Sequence, residues 1–173
     1  MQLEGKRIAI LVEDNYEDLE LWYPLLRLRE EGADVFVVGS AAKDVFRSKN
    51  GYPVRSDVDA SDVAAEDFDA VIVPGGFAPD RMRQIESMTD FVYDMDRAGK
   101  LVAAICHGAW VLISAKILNG RNLTCVAAIK DDVTNAGATY LDQEVVVDGN
   151  LISSRTPPDL PAFCRNIIKT LTL

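Results

Sequence analysis

Two kinds of run alternate along the first two thirds of the chain. Short, continuous apolar runs are typical of strands buried on both faces of a sheet. They occupy residues 8–12, 35–38, 70–73 and 101–105. Longer segments with apolar residues at helical spacing cover 16–31 and 90–98, and each ends at a glycine. The alternation predicts a mostly parallel, flavodoxin-like sheet between two helical layers, a three-layer α/β/α sandwich.

The remaining segments are shorter and less regular. Asn50-Gly51 predicts a β-hairpin within 43–57, and a second hairpin is expected over 145–152. Residues 123–126 are expected to form a strand, and helices are expected over 128–135 and from Pro157 to Leu171. In the helix over 16–31, the apolar stripe is assigned to positions 19, 22, 25, 26 and 28. No linker divides the chain, so we expect one domain over 1–173.

Composition restricts the class of partner. The chain has 173 residues, 49% of them hydrophobic, which is enough for a full core. Its formal net charge of −9 opposes binding of nucleic acid or an anionic membrane through a basic patch. The N-terminal residues lack the charge-then-apolar order of a signal peptide, and no apolar run is long enough to cross a membrane.

The cysteines, the single histidine and the absent motifs limit the cofactors. Three cysteines without a CxxC pair indicate free thiols in a reducing cytoplasm. A structural zinc site needs four nitrogen or sulfur ligands, so we expect no metal. The chain has no GxGxxG or Walker A loop, so we expect no nucleotide cofactor. Cys125 and Cys164 have apolar neighbours and are expected to be structural.

The dipeptide Cys106-His107 is the strongest chemical signal. It follows the apolar run 101–105 and precedes a helical stretch. Small residues two positions before and after the cysteine, Ala104 and Gly108, let strand and helix approach closely, as in a nucleophile elbow. A thiol at a helix N-terminus faces unpaired N–H groups, so we expect the pKa of Cys106 to be lowered. The alternative is a small buried cysteine of the core.

Other polar groups follow neighbouring strands. The carboxyl ends of parallel strands share one edge of the sheet, so these groups should lie near Cys106. Gly75-Gly76 would expose backbone N–H groups, as an oxyanion hole requires, or would form a plain turn. Glu17 would be a helix-start acid, or a carboxyl with a raised pKa that donates a proton to the site.

Together these residues resemble the ThiJ/PfpI family of the class I glutamine amidotransferase-like superfamily, closest to its PfpI-type branch of intracellular proteases and protein deglycases. The resemblance covers essentially the whole chain. It rests on Glu17-Asp18-Leu19-Glu20, Val73-Pro74-Gly75-Gly76, Ala78-Pro79-Asp80-Arg81, Ala104-Ile105-Cys106-His107-Gly108, Ile129-Lys130-Asp131-Asp132, Asn135-Ala136-Gly137, Val146-Val147-Asp148-Gly149-Asn150 and Ser153-Ser154-Arg155 with Pro157 and Asp159-Leu160.

The resemblance implies a role for each matching residue. Cys106 would be the nucleophile and His107 its general acid/base. Glu17 would hydrogen-bond the sulfur. Gly75, Gly76 and the backbone of His107 would form the oxyanion site. No cofactor is implied.

The resemblance also implies an assembly. In PfpI-like proteins an acid after the Pro-Gly-Gly motif orients the histidine across a subunit interface, and Asp80 occupies that place here, where Glu is usual. The chain would then form a homo-oligomer, either a dimer or a hexamer. The alternative for Asp80 is a solvent-exposed helix-start residue paired with Arg81 or Arg83.

The implied activity is that of a stress-related enzyme. It would act on α-oxoaldehydes such as methylglyoxal, or on their protein adducts, as a glyoxalase III or deglycase. A cysteine peptidase is the first alternative, because it needs the same nucleophile, base and oxyanion hole. The second is a redox-sensing or chaperone-like protein that uses oxidation of Cys106. A glutaminase would need another histidine, and His107 is the only one.

Overall fold

A computed structural model describes residues 1–40 and 45–173. The strands are β1 (Arg7–Leu11), β2 (Asp34–Gly39), β3 (Val45–Arg47), β4 (Pro53–Arg55), β5 (Val58–Asp59), β6 (Ala70–Val73), β7 (Leu101–Ile105), β8 (Asn122–Leu123), β9 (Thr139–Tyr140), β10 (Val145–Asp148) and β11 (Leu151–Ser154). The helices are α1 (Asp18–Glu30), α2 (Ala78–Met82), α3 (Glu86–Arg97), α4 (Ala109–Ser114), α5 (Lys130–Asn135) and α6 (Leu160–Leu171).

Seven strands form the central sheet, in the order β10-β11-β7-β6-β1-β2-β5. All neighbours are parallel except the β10–β11 hairpin at one edge. Helices α1 and α6 pack together, as do α3 and α4. The predicted α/β/α architecture with a mostly parallel sheet is confirmed.

The core lies at the centre of this sheet. Every residue of β6 and β7 is buried, as is every residue of β1 after Arg7. Such strands carry apolar side chains on both faces because helices cover both faces. The continuous apolar runs in the sequence therefore mark the central strands.

The hairpin around Asn50-Gly51 is confirmed as β3 and β4, while Lys43 and Asp44 of the predicted segment lie outside the described residues. Its tip is tied to the start of α1. The Lys49 N–H donates to the Tyr16 carbonyl at 2.9 Å, and the Ser48 hydroxyl donates to the Asp18 carboxylate at 2.7 Å. These bonds hold the tip close to the carboxyl ends of the central strands.

The predicted apolar stripe on α1 is right at Leu25 and Leu28 and wrong at Leu19 and Leu26. The buried face carries Glu20, Leu21, Pro24, Leu25 and Leu28, whereas Leu19 and Leu26 are 56% and 58% exposed. Both sets fit helical spacing, and the sequence pattern alone did not decide which one faces the sheet. A glutamate on the buried face is the consequence that matters for function.

Other details of the elements also differ from the predictions. The strand expected over 123–126 ends at Leu123, and α3 begins at Glu86, before the predicted start. Helix α2 was not predicted; at five residues it is too short to show a periodic pattern. No helix in the described part of the chain combines the length and apolarity needed to cross a membrane.

Candidate active site

The turn after β7 is a nucleophile elbow, as predicted. Cys106 has a φ of 61°, a left-handed conformation that is strained for a residue with a side chain. The chain then passes through a single 3₁₀ turn over Cys106–Gly108 into α4. A Cβ on Gly108 would collide with the Val73 carbonyl oxygen, so only glycine allows the turn to pack against β6. The elbow leaves the Cys106 side chain half-buried at the carboxyl edge of the sheet.

The carboxyl group beside the sulfur belongs to Glu20. Its side chain is fully buried, and Oε2 accepts the Gly75 N–H at 2.7 Å. The other oxygen, Oε1, is buried and has no hydrogen-bond partner among the described residues. The Cys106 side chain lies beside this carboxyl: a Cβ on Gly75 would be 2.5 Å from Glu20 Oε2 and 2.7 Å from the Cys106 Cβ, and the two groups act on each other as charges.

The sequence assigned this contact to Glu17, and the structure places Glu17 elsewhere. Glu17 is the N-cap of α1, where its Oε2 accepts the Glu20 N–H at 2.9 Å. Its other oxygen lies 3.8 Å from the Lys49 ammonium. The helix-start alternative therefore describes Glu17. The sequence signal available for Glu20 was its place in line with Leu21, Leu25 and Leu28, one of the two sets that fit helical spacing.

The expected fall in the pKa of Cys106 is also wrong for this geometry. Burial and the Glu20 carboxylate raise the pKa of Cys106 to about 12, although N–H groups of His107 and Gly76 act in the opposite direction, as the helix terminus suggested. Burial likewise raises the pKa of Glu20 to about 7, with Glu17 adding to the rise. At neutral pH the pair of sulfur and carboxyl keeps at least one proton, because full deprotonation would leave two negative charges side by side.

The Gly-Gly turn supplies backbone groups, but not in the way expected. The Gly75 N–H is already bound by Glu20, so the donors facing the sulfur are the N–H groups of Gly76 and His107. Residues 75 and 76 both need to be glycine, because other atoms of the site approach their Cα atoms closely. A Cβ on Gly75 would lie 2.5 Å from the Glu20 carboxyl, and one on Gly76 would lie 2.5 Å from the Glu17 nitrogen.

His107 lies against the nucleophile and an aromatic side chain. Its Nδ1 is 3.4 Å from the Cys106 sulfur, within reach for proton transfer. Its ring packs edge-on against Trp110 with 5.0 Å between centroids. Burial and the nearby Lys49 ammonium lower the pKa of His107, so the imidazole is neutral at pH 7 and can accept a proton.

Asp80 lies on the exposed side of α2, where its carbonyl accepts the Gln84 amide at 2.8 Å. Within this chain His107 interacts with Cys106, Trp110 and Lys49. A role for Asp80 toward the histidine of another subunit stays a prediction.

The other two thiols differ from Cys106 in their exposure to solvent. Cys125 and Cys164 are each 1% exposed, and burial raises the pKa of both to about 12. Within the described ranges, no group of three or more His, Cys, Asp or Glu side chains is arranged to hold a metal ion.

Comparison with known proteins gives the same picture. The model of the DJ-1/PfpI family matches residues 6–170. The chain is 46% identical over 165 residues to "Deglycase PfpI" of Pyrococcus furiosus, covering 95% of this chain and 99% of that protein. It is 42% identical over 167 residues to "Putative cysteine protease YraA" of Bacillus subtilis, covering 96% and 99%.

A solved structure agrees at the level of the fold and the family. Drosophila melanogaster DJ-1beta superimposes with a TM-score of 0.91 at 28% identity, covering 96% of this chain and 90% of that one. A family match over nearly the whole chain, a relative matched over 99% of its own length and the Cys106 elbow all agree. The chain belongs to the DJ-1/PfpI family.

Proposed function

We propose that this protein is a cofactor-independent enzyme that converts α-oxoaldehydes, or their early adducts on proteins, into hydroxy acids. The observation that supports this best is the contact between Cys106 and Glu20, whose pKa lies near 7. A carboxyl with that pKa gives and takes a proton equally well at neutral pH. The name of the Pyrococcus furiosus relative, a deglycase, supports the same class of substrate.

The first step is addition of the Cys106 sulfur to the aldehyde carbon. The shared proton moves to Glu20 as the C–S bond forms, and the N–H groups of Gly76 and His107 stabilise the developing oxyanion. Return of the proton from Glu20 to that oxygen gives a neutral hemithioacetal. An adduct on a protein amine or thiol would lose that amine or thiol from the same carbon.

The second step moves a proton between two carbons. His107, a neutral base beside the sulfur, removes the proton from the former aldehyde carbon, and the neighbouring carbonyl carbon becomes protonated. The aldehyde carbon is oxidised to a thioester while the ketone carbon is reduced to an alcohol, so no external oxidant or reductant is required. Water then hydrolyses the thioester, which releases the hydroxy acid and restores the thiol.

Peptide hydrolysis is the second candidate, favoured by the name of the Bacillus subtilis relative. It would use Cys106 and His107 in the same places, with His107 protonating the leaving amine. It would not require a proton to move between two substrate carbons, the step that His107 performs in the reaction above. Stable oxidation of Cys106 next to Glu20 would serve a redox sensor instead.

We also propose that the working form is a homo-oligomer in the cytoplasm, with Asp80 of one subunit orienting His107 of another. The exposed position of Asp80 on α2 makes it available to a neighbouring chain. The partners proposed are small carbonyl compounds or modified proteins, and the net charge of −9 disfavours binding of nucleic acid through a basic patch.

The test measures methylglyoxal consumption and hydroxy-acid formation beside cleavage of a denatured protein. The variants are Cys106→Ser and, as a matched control, Cys125→Ser. We expect turnover of methylglyoxal that Cys106→Ser abolishes and Cys125→Ser retains. Cleavage of the denatured protein without turnover of methylglyoxal would establish the peptidase. Turnover of neither substrate would refute both enzymatic proposals.

A further inference from the structure

The imidazole of His107 needs a fixed orientation to work as a base, and its hydrogen-bond contact in the described part of the chain is with Cys106. Nδ1 faces the Cys106 sulfur at 3.4 Å, which leaves the rest of the ring to be held by its surroundings. Trp110 lies one helical turn later, three residues along, so the two side chains occupy the same side of the turn. The indole is therefore the large side chain that packs against the imidazole.

The indole is itself anchored on two other sides. Its Nε1–H donates to the Asp132 carboxylate of α5 at 2.8 Å. The Arg83 guanidinium lies 5.6 Å from the indole ring centroid, and its Nε donates to the Ser114 hydroxyl at 3.0 Å. Because the indole has only two rotatable bonds, these contacts favour the observed orientation over the other rotamers.

We propose that Trp110 and Asp132 position His107, so that the Asp132–Trp110 hydrogen bond keeps the imidazole against the Cys106 sulfur. Neither residue touches the reacting atoms. Both act through the histidine, and they do so within one chain, independently of Asp80. The expected effect on kcat rests on the function proposed above, whereas the expected effect on the orientation of the His107 ring does not.

His107 is the only histidine of the chain, so its ring signals in an NMR spectrum need no assignment against other histidines. An indole 5.0 Å away, packed edge-on, displaces the imidazole proton signals through its ring current. The size of that displacement reports how firmly the two rings are held together. It can be measured whether or not a substrate is known.

The test compares three substitutions on α5 with the wild-type enzyme. Asp132→Leu removes the acceptor of the indole N–H, while Asp132→Asn keeps an oxygen that can accept it. Asp131→Leu makes the same chemical change one residue earlier, at a carboxylate that is not the acceptor of Trp110. Trp110→Phe, which keeps an aromatic ring without an N–H, serves as a second probe should Asp132→Leu fail to fold.

We expect Asp132→Leu to lose most of the displacement of the His107 signals and to lower kcat roughly tenfold with little change in KM. That loss is a fraction of the 10²–10⁴ that a positioned acid or base contributes. Asp132→Asn should recover most of both, and Asp131→Leu should match the wild type. Trp110→Phe should show an intermediate loss of kcat.

The proposal would be overturned if the His107 signals of Asp132→Leu matched those of the wild type. It would also be overturned if the displacement were lost while kcat stayed unchanged. If the wild-type enzyme turns over neither methylglyoxal nor protein, the function proposed above fails. The NMR comparison then still decides whether Asp132 and Trp110 fix the orientation of the imidazole.

Discussion

Replacing Glu20 by glutamine should stabilise the protein at pH 8. The carboxyl is fully buried, and burial raises its pKa from 4.5 to about 7. The folded state therefore holds a proton between these values that the unfolded state has released, and stability falls as pH rises through this range. At about 1.4 kcal/mol per pKa unit, the rise corresponds to about 3 kcal/mol, fully lost above pH 7.

Glutamine removes the charge and keeps the bonds. Its amide oxygen can still accept the Gly75 N–H, and its NH₂ group then occupies the position of Oε1. We therefore expect Glu20→Gln to gain on the order of 3 kcal/mol over the wild type at pH 8 and little at pH 4.5.

The assay is urea denaturation of both proteins at several values between pH 4.5 and 8, with a reductant present. Glu17→Gln is the matched control, because Glu17 lies on the same turn of α1 and caps the helix instead of facing the sulfur. The control should keep the pH dependence of the wild type. A Glu20→Gln protein whose stability follows the wild type at every pH would refute the reasoning about the buried carboxyl.

Three further predictions concern the nucleophile and its surroundings. Iodoacetamide should alkylate Cys106 before Cys125 and Cys164, because those two thiols are 1% exposed; mass mapping checks the order. Gly75→Ala should destabilise the fold by about 1–3 kcal/mol and abolish turnover, since an added Cβ would lie 2.5 Å from the buried carboxyl; denaturation and activity assays check both. Asp80→Ala should lower turnover while alkylation of the nucleophile continues, and wild-type activity should fall on dilution. Sedimentation beside activity checks this, and a fully active monomer would contradict it.

Much of the fold could be predicted because the central strands are buried on both faces. The strands at 70–73 and 101–105 match their predicted ranges, and the hairpin at Asn50-Gly51 forms where expected. Continuous apolar runs and a turn dipeptide are local signals, so they predict an element without information on which other elements it packs against. The edges of the fold, such as α2 and the end of β8, depend on packing that a local pattern does not contain.

The site was predicted in its position but not in all its members. The elbow at Cys106 follows from its small neighbours, and the structure confirms it through a left-handed φ of 61°. The choice between Glu17 and Glu20 depends on which face of α1 meets the sheet, and two apolar stripes competed for that face. The pKa of Cys106 depends on that choice, because the neighbouring carboxylate acts against the helix terminus.

One measurement tests the central claim, that Glu20 and not Glu17 shares a proton with Cys106. It compares the methylglyoxal turnover of Glu20→Gln and Glu17→Gln while following alkylation of Cys106 in each. Glu20→Gln should lose most of its turnover yet keep a reactive thiol, because the amide cannot exchange a proton but no longer repels a thiolate. Glu17→Gln should retain both. An active Glu20→Gln enzyme beside an inactive Glu17→Gln enzyme would contradict this assignment of the site.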